Sequence, residues 1–421
     1  MSTTTLSTPV ADVARRTLSP RLAYALVAGV IGLCLFASGT PSPLYGTYRE
    51  LWGFSPLVLT LVYATYAFGV LASLILAGKV SDELGRRPVL VLALSGLMAS
   101  TVLFMLADSV AWLFVARGLQ GVATGLALGA ASAAMLDLHP RRDSAGVALA
   151  NGVVSTAGMG LGVLVSGLMV ELLPAPRVLP YVLLAVLFAI TLAGALRMPE
   201  PVTPTTSRLR LTPQRPSVPP VARRPFFLAA LGVLSSWSIG GLFLSLGPQL
   251  AGSLFHTTNH LVAGVSVFAL AGSAAVAQLV FGRGRPWLGA ALGSVALSAG
   301  MLLIVAASAT GSSVLFLVGA VIGGAGFGVA FLGALRVLSA AIPPEHRSSV
   351  MSAFYVVAYA SLSLPAVLAG ILVTPLGLQT TFEIFGSVIA VLALGVALEA
   401  WRQRPRAAVP AAPPAPAPLR A

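Results

Sequence analysis

The chain has 421 residues, of which 57% are hydrophobic and only 9% charged, with a mean hydropathy of +0.94, against about 25% charged in an ordinary soluble domain. So little polar surface cannot clothe a chain of this length, which excludes a soluble globular protein and makes lipid the expected solvent. The formal net charge is +13, and the single cysteine, Cys34, excludes an intrachain disulfide or a multi-cysteine metal site.

Residues 1–20 are polar, carry Arg15 and Arg16, and read as a cytoplasmic tail, because the apolar run that follows is too long for a signal peptide and has no convincing cleavage site. Apolar runs follow at 22–45, 56–78, 88–107, 110–136, 144–172 and 178–198, each reaching the roughly 20 residues that span a bilayer. They predict an N-terminal six-helix bundle over 21–198. Residues 199–225 are rich in Pro, Thr and Arg, lack apolar periodicity and include Arg208, Arg210, Arg215, Arg223 and Arg224, the pattern of a cytoplasmic linker. A second six runs lie at 226–250, 260–282, 286–308, 313–340, 348–374 and 378–400, predicting a C-terminal bundle over 226–400. The Pro/Ala-rich stretch 401–421 reads as a disordered tail. The first and seventh runs each break near the outer end, at Pro41 and Pro43 and at Gly247-Pro248.

Of the 25 Lys and Arg residues, all but Arg49, Arg117 and Arg177 fall in the tails, in the loops on the N-terminal side of the membrane, or at helix ends there. This is a strong positive-inside asymmetry, placing both termini in the cytoplasm of a cell-membrane protein. The basic balance therefore describes topology and contact with anionic lipid, and does not imply nucleic-acid binding. Sliding the sequence by 203 positions lays Gly121 on Gly324, Gly125 on Gly328, Pro140 on Pro343 and Val147 on Val350. The fold class expected is therefore all-α: a polytopic membrane protein of twelve transmembrane helices in two pseudo-symmetric six-helix bundles. Such repeats place a substrate site at their interface, with rocking about it giving alternating access.

The hairpin between the second and third spans, Gly78-x3-Asp82-x2-Gly85-Arg86-Arg87, resembles the loop signature of the major facilitator superfamily, and the resemblance extends over all twelve spans. Arg117-x2-Gln120-Gly121 in the fourth span is similar to a second family motif, best known from proton-driven members. Gly158-x3-Gly162 with Gly167 in the fifth looks like the antiporter motif but has Val163 where that pattern has Pro. The second-half copy of the loop, Gly282-Arg283-Gly284-Arg285-Pro286, keeps basic residues and has no acid. The resemblance implies a conformational latch in which Asp82 meets the N-terminus of the eleventh helix near Arg347–Ser349 and locks the outward-facing state.

Physical chemistry gives the latch residues separate tasks. Gly78 permits close helix approach, Gly85 permits a left-handed turn, and Arg86 or Arg87 is placed to pair with Asp137 at the inner end of the fourth helix. Arg117 lies within a span, where a charge costs about 2.5–3.5 kcal/mol on insertion scales and marks a pathway or a bond to neighbouring carbonyls. Gln120 shares its face. None of the twelve Asp and Glu residues lies in mid-span, so proton coupling rests on the resemblance alone, and none of His139, His256, His260 and His346 is a strong shuttle candidate.

Candidate cavity residues are Tyr45 on the first run, Tyr63 and Tyr66 on the second, Asn151 on the fifth, Trp237 and Gln249 on the seventh, Gln278 on the eighth, and Tyr355 and Tyr359 on the eleventh. There is no nucleotide-binding G-x-x-x-x-G-K-[ST] loop and no H-E-x-x-H pair. Gly323–Gly328 lies in an apolar span, where it reads as packing surface. The function expected is a non-enzymatic secondary transporter without cofactor or metal, acting as a monomer and moving a small molecule by alternating access, with proton-coupled efflux leading. The alternatives are uptake or facilitated diffusion of a small organic anion bound by Arg117, and a membrane sensor that binds ligand without moving it.

Overall fold

The computed structural model describes residues 17–204, 216–342 and 346–404, with the backbone alone for residues 347 and 348. Most of the N-terminal tail, the centre of the linker and the C-terminal stretch from 405 lie outside these residues. The described chain forms fifteen α-helices and no strand. The N-terminal half holds α1 (Pro20–Gly39), α2 (Tyr45–Trp52), α3 (Pro56–Ala77), α4 (Val80–Leu84), α5 (Arg86–Met105), α6 (Val110–Leu138), α7 (Ser144–Leu172) and α8 (Leu179–Ala195). The C-terminal half holds α9 (Arg223–Ser245), α10 (Gly247–Leu254), α11 (His260–Phe281), α12 (Pro286–Thr310), α13 (Ser313–Ala341), α14 (Arg347–Leu376) and α15 (Leu378–Arg402).

Eleven helices are long and apolar enough to cross a membrane. The twelfth, α8, has 17 residues, about 26 Å at 1.5 Å per residue, and is prolonged by a turn that buries Met198. The spans start where the sequence supplies caps. Ser19 and Ser55 accept from the N–H groups of Leu22 and Val58, each just ahead of a proline at the first helical position.

Two apolar runs that read as single helices are each divided. After Gly39 the chain turns through Thr40–Leu44 and restarts as α2, so Tyr45 belongs to α2 and not to the first span. Pro41 and Pro43 cause this, since neither has an N–H to continue the ladder. The seventh run breaks at the equivalent place, and Pro248 opens α10, which carries Gln249. At the other end α9 begins at Arg223, earlier than the apolar run that starts at 226.

Within the N-terminal half α6 packs against α1, α3 and α5; within the C-terminal half α13 packs against α9, α11 and α12. Between lipid-like surfaces the attraction is close packing of backbones, which small residues permit. Gly121 and Gly125 of α6 lie against the Tyr66 and Val70 carbonyls of α3, while Gly324 and Gly328 of α13 lie against the Leu270 and Ala274 carbonyls of α11. The internal repeat is thus the same helix contact made twice. A Cβ at Gly121 or Gly324 would overlap backbone atoms of its partner. Val314, Val391 and Ile190 are among the large side chains left on the outside, facing lipid. The halves meet along two seams, α3 on α14 and α7 on α11.

Candidate functional site

The Gly78–Pro88 hairpin is a short helix, α4, followed by Gly85 at φ +98°, a conformation that a side chain would strain. Arg86 is 7% exposed and holds three acceptors: Ser81 Oγ at 2.8 Å, Asp82 Oδ1 at 2.5 Å and Asp137 Oδ2 at 3.0 Å. Asp137 is paired with Arg86. Arg87 contributes its backbone N–H instead, and with that of Arg86 it donates to the Glu200 carboxylate at 2.9 and 2.8 Å. Glu200 thereby caps α5, whose cap residue Gly85 has no side chain to do so. Nothing in the apolar pattern marks Glu200; its signal is an acid placed just past the sixth span, near the positive end of a helix.

Among the described residues Asp82 is partnered by Arg86 of its own hairpin, and its side chain is 60% exposed. A pair so exposed contributes about 0–1 kcal/mol, whereas the Arg86–Asp137 pair, with side chains 9% and 23% exposed, is the firmer tie. Gly78 ends α3 and lines a small recess with Ser73, Ser81 and Gly125. In the second half, the corresponding turn is held by Arg336, which donates to the Gly282 and Gly284 carbonyls.

Arg117 is fully buried on α6, and no carboxylate faces it among the described residues. Its Nε and Nη2 donate to the Tyr45 hydroxyl at 2.9 and 2.5 Å, and its Nη1 donates to Ser38 O at 3.0 Å and Gln120 Oε1 at 2.7 Å. Gln120 in turn donates to Ala37 O at 3.0 Å. These carbonyls are free for a definite reason. The helical partner of Ala37 O would be the N–H of residue 41, a proline, and the Ser42 N–H has turned to Gly39 O. The break in the first run thus presents the negative end of α1 to a buried guanidinium. The rings of Tyr45, Tyr66 and Phe104 lie 5.6, 5.6 and 5.8 Å from its Cζ, adding cation–π attraction.

The aromatic candidates converge from both halves. Tyr66 and Tyr359 pack together with Trp237 and Tyr355 against them, and Tyr63 lies beside this group across Leu362. Trp237 meets Tyr359 edge-on at 5.2 Å between ring centroids and Phe331 at 5.5 Å. The Tyr63 hydroxyl and the Trp237 indole N–H are buried without a hydrogen-bond partner. The amides sit elsewhere. Asn151 donates to Ser132 at 2.7 Å within the N-terminal half, so it is a packing contact between α6 and α7 and not part of the aromatic group. Gln278 bridges Gly328 O and Thr156 in the α7–α11 seam, and Gln249 lies at the far end of the molecule.

Four side-chain hydrogen bonds join the halves among the described residues. Three are at the end opposite the hairpin: Ser42 Oγ to Leu244 O at 2.6 Å, Arg49 to Gln249 at 3.4 Å, and the His260 N–H to Glu171 at 3.0 Å. The fourth, Thr156 to Gln278 at 3.4 Å, lies inside a seam. None involves the Gly78–Pro88 hairpin or the turn at 282–286.

A sequence profile described as Major Facilitator Superfamily matches residues 27–315, more than half of the chain. The chain belongs to the major facilitator superfamily. Among solved structures it is similar to the human organic anion transporter MFSD10 (TETRAN), with a TM-score of 0.65 over 90% of this chain and 100% of that one. The identity of 16% makes that a likeness of fold. Curated relatives include the triacylglyceride transporter of Mycobacteroides abscessus, 35% identical over 25% of this chain and 20% of that protein. The human vesicular acetylcholine transporter is 30% identical over 43% of this chain and 34% of its own length. The Escherichia coli multidrug resistance protein MdtL is 32% identical over 23% and 25%. The chain thus aligns with about a third or less of each of these relatives. Family membership makes this a multi-pass membrane protein of a superfamily of transporters, and the twelve-helix architecture is that of the superfamily.

Proposed function

We propose that this superfamily member moves a small organic molecule across the cell membrane by alternating access, outward and at the expense of a proton gradient, with the hairpin and both termini in the cytoplasm. The observation that carries the reading is the uneven closure of the two ends. Three hydrogen bonds clasp the halves at the far end, while the hairpin end has none among the described residues and leaves Asp82 exposed. This unevenness supports the reading of a state shut to the outside with its inner latch released. The basic residues gathered at the hairpin end support its cytoplasmic placement, and the likeness to MdtL supports efflux.

The relatives' own names cover triacylglycerides, acetylcholine, drugs and organic anions, so likeness alone does not choose the cargo. Reconstitution of the purified chain in proteoliposomes tests the reading through flux of a chemically diverse panel with and without a pH gradient. Efflux that rises with an opposing proton gradient is the expected result. Flux indifferent to the gradient would remove the proton, and ligand binding with no flux would turn the protein into a sensor.

A further inference from the structure

The group of rings between the halves lies in an electrostatic setting that selects the sign of what it binds. Aromatic faces by themselves favour cations. Here, however, among the described residues, the middle of the spans contains no carboxylate, and the one charged side chain there is Arg117, satisfied entirely by neutral partners. Its guanidinium already occupies one face of Tyr66, at 5.6 Å, and Tyr66 is itself a member of the group. A cation brought between the halves would approach an uncompensated positive charge through a single ring.

The unpaired polar atoms point the same way. Tyr63 is 2% exposed and its hydroxyl has no partner; the Trp237 indole nitrogen is buried and also has none. An indole N–H can only donate, and a phenol that finds no acceptor has a proton to offer. Buried donors left unpaired are costly, and they lie on helices from different halves, α3 and α9. Rocking of the halves would open a space between them that offers donors, ring faces and a positive field.

Resting on the transport reading above, we infer that this aromatic group is an anion-selective substrate subsite. It takes a small organic anion, its apolar or aromatic body lying among Trp237, Tyr355 and Tyr359 and its carboxylate-like headgroup accepting from Tyr63 and Trp237 in the field of Arg117. At an effective dielectric constant of about 20 and a separation of about 10 Å, opposite unit charges on otherwise equal ligands differ in binding on the order of a hundredfold.

The test uses the full chain and three phenylpropyl compounds of matched shape: the carboxylate, the amide and the amine. Binding is measured calorimetrically in lipid nanodiscs and exchange by counterflow in proteoliposomes. The carboxylate should bind at least tenfold more tightly than the amine, with the amide between. Tyr63→Phe keeps its ring and Trp237→Phe leaves a smaller aromatic ring, and each removes one donor, so each should weaken the carboxylate by about 10- to 100-fold, as expected for hydrogen bonds to a charged acceptor, and the amide by less. An amine bound as well as the carboxylate, no binding of any of the three, or equal losses for carboxylate and amide in both variants would overturn the proposal. The predicted order of binding without exchange of any compound would sustain the charge selectivity while refuting transport.

Discussion

Replacing Glu200 with Ala isolates the cap on α5. Both carboxylate oxygens accept from the first two N–H groups of the helix, at 2.8 and 2.9 Å, and Gly85 offers no local substitute. A hydrogen bond to a charged group is worth about 1.5–3 kcal/mol, and the helix dipole adds about 0.3–1 kcal/mol. Because the carboxylate is only partly buried, water recovers much of this, leaving a net loss of about 1–3 kcal/mol. Spread over a chain of this size, that lowers the unfolding midpoint by roughly 1–3 °C. Cys34 supplies the assay, since the only thiol is fully buried and reacts with a thiol-specific fluorophore only on unfolding. Gly85→Ala should also destabilise, and by more in the parent than in the Glu200→Ala background, because the new methyl would lie 2.7 Å from Glu200 Oε2. A Glu200→Ala midpoint equal to the parent's, or equal costs of Gly85→Ala in both backgrounds, would refute the cap.

Other substitutions probe the remaining ties. Arg117→Lys keeps the charge but cannot span the Tyr45, Ser38 and Gln120 acceptors together, so it should lower the same midpoint further than Glu200→Ala; an unchanged midpoint would show that charge alone suffices. Asp82→Asn should cut flux while leaving membrane insertion and the midpoint intact, and undiminished flux would remove Asp82 from the latch. Gly121→Val and Gly324→Val should both reduce folded yield by separating paired helices, whereas Gly395→Ala, with nothing near its added methyl, should be neutral or slightly stabilising.

What the sequence made legible was whatever depends on local composition. Spans follow from hydropathy, and the breaks at Pro41 and Gly247-Pro248 follow from a missing N–H and a flexible residue. Even the destination of Arg117 was latent in the chain, because Pro41 leaves Ala37 O without its helical donor, though nothing local says which helix will supply one. Contacts between distant segments were not legible. Glu200 reaches α5 from the start of the linker and Glu171 caps α11 across the halves, and nothing in the sequence beside either acid names its distant partner. Polar residues in apolar runs announced themselves but not their partners. Asn151 went to a serine in its own half, while Trp237 and Tyr63 went to the boundary between halves.

On the transport reading proposed above, the clasp at the far end also contributes to the energy scale of the working cycle. Three hydrogen bonds at about 0.5–1.5 kcal/mol each amount to a bias of about 2–4 kcal/mol between closed and open forms. A bias of that size leaves the open form populated at roughly 0.1–3% before any ligand arrives. A ligand that favours the open form by a few kcal/mol can therefore bring the two populations level, and its departure restores the original ratio. On that reading, the sparseness of the polar ties keeps both faces of the membrane within thermal reach of one chain.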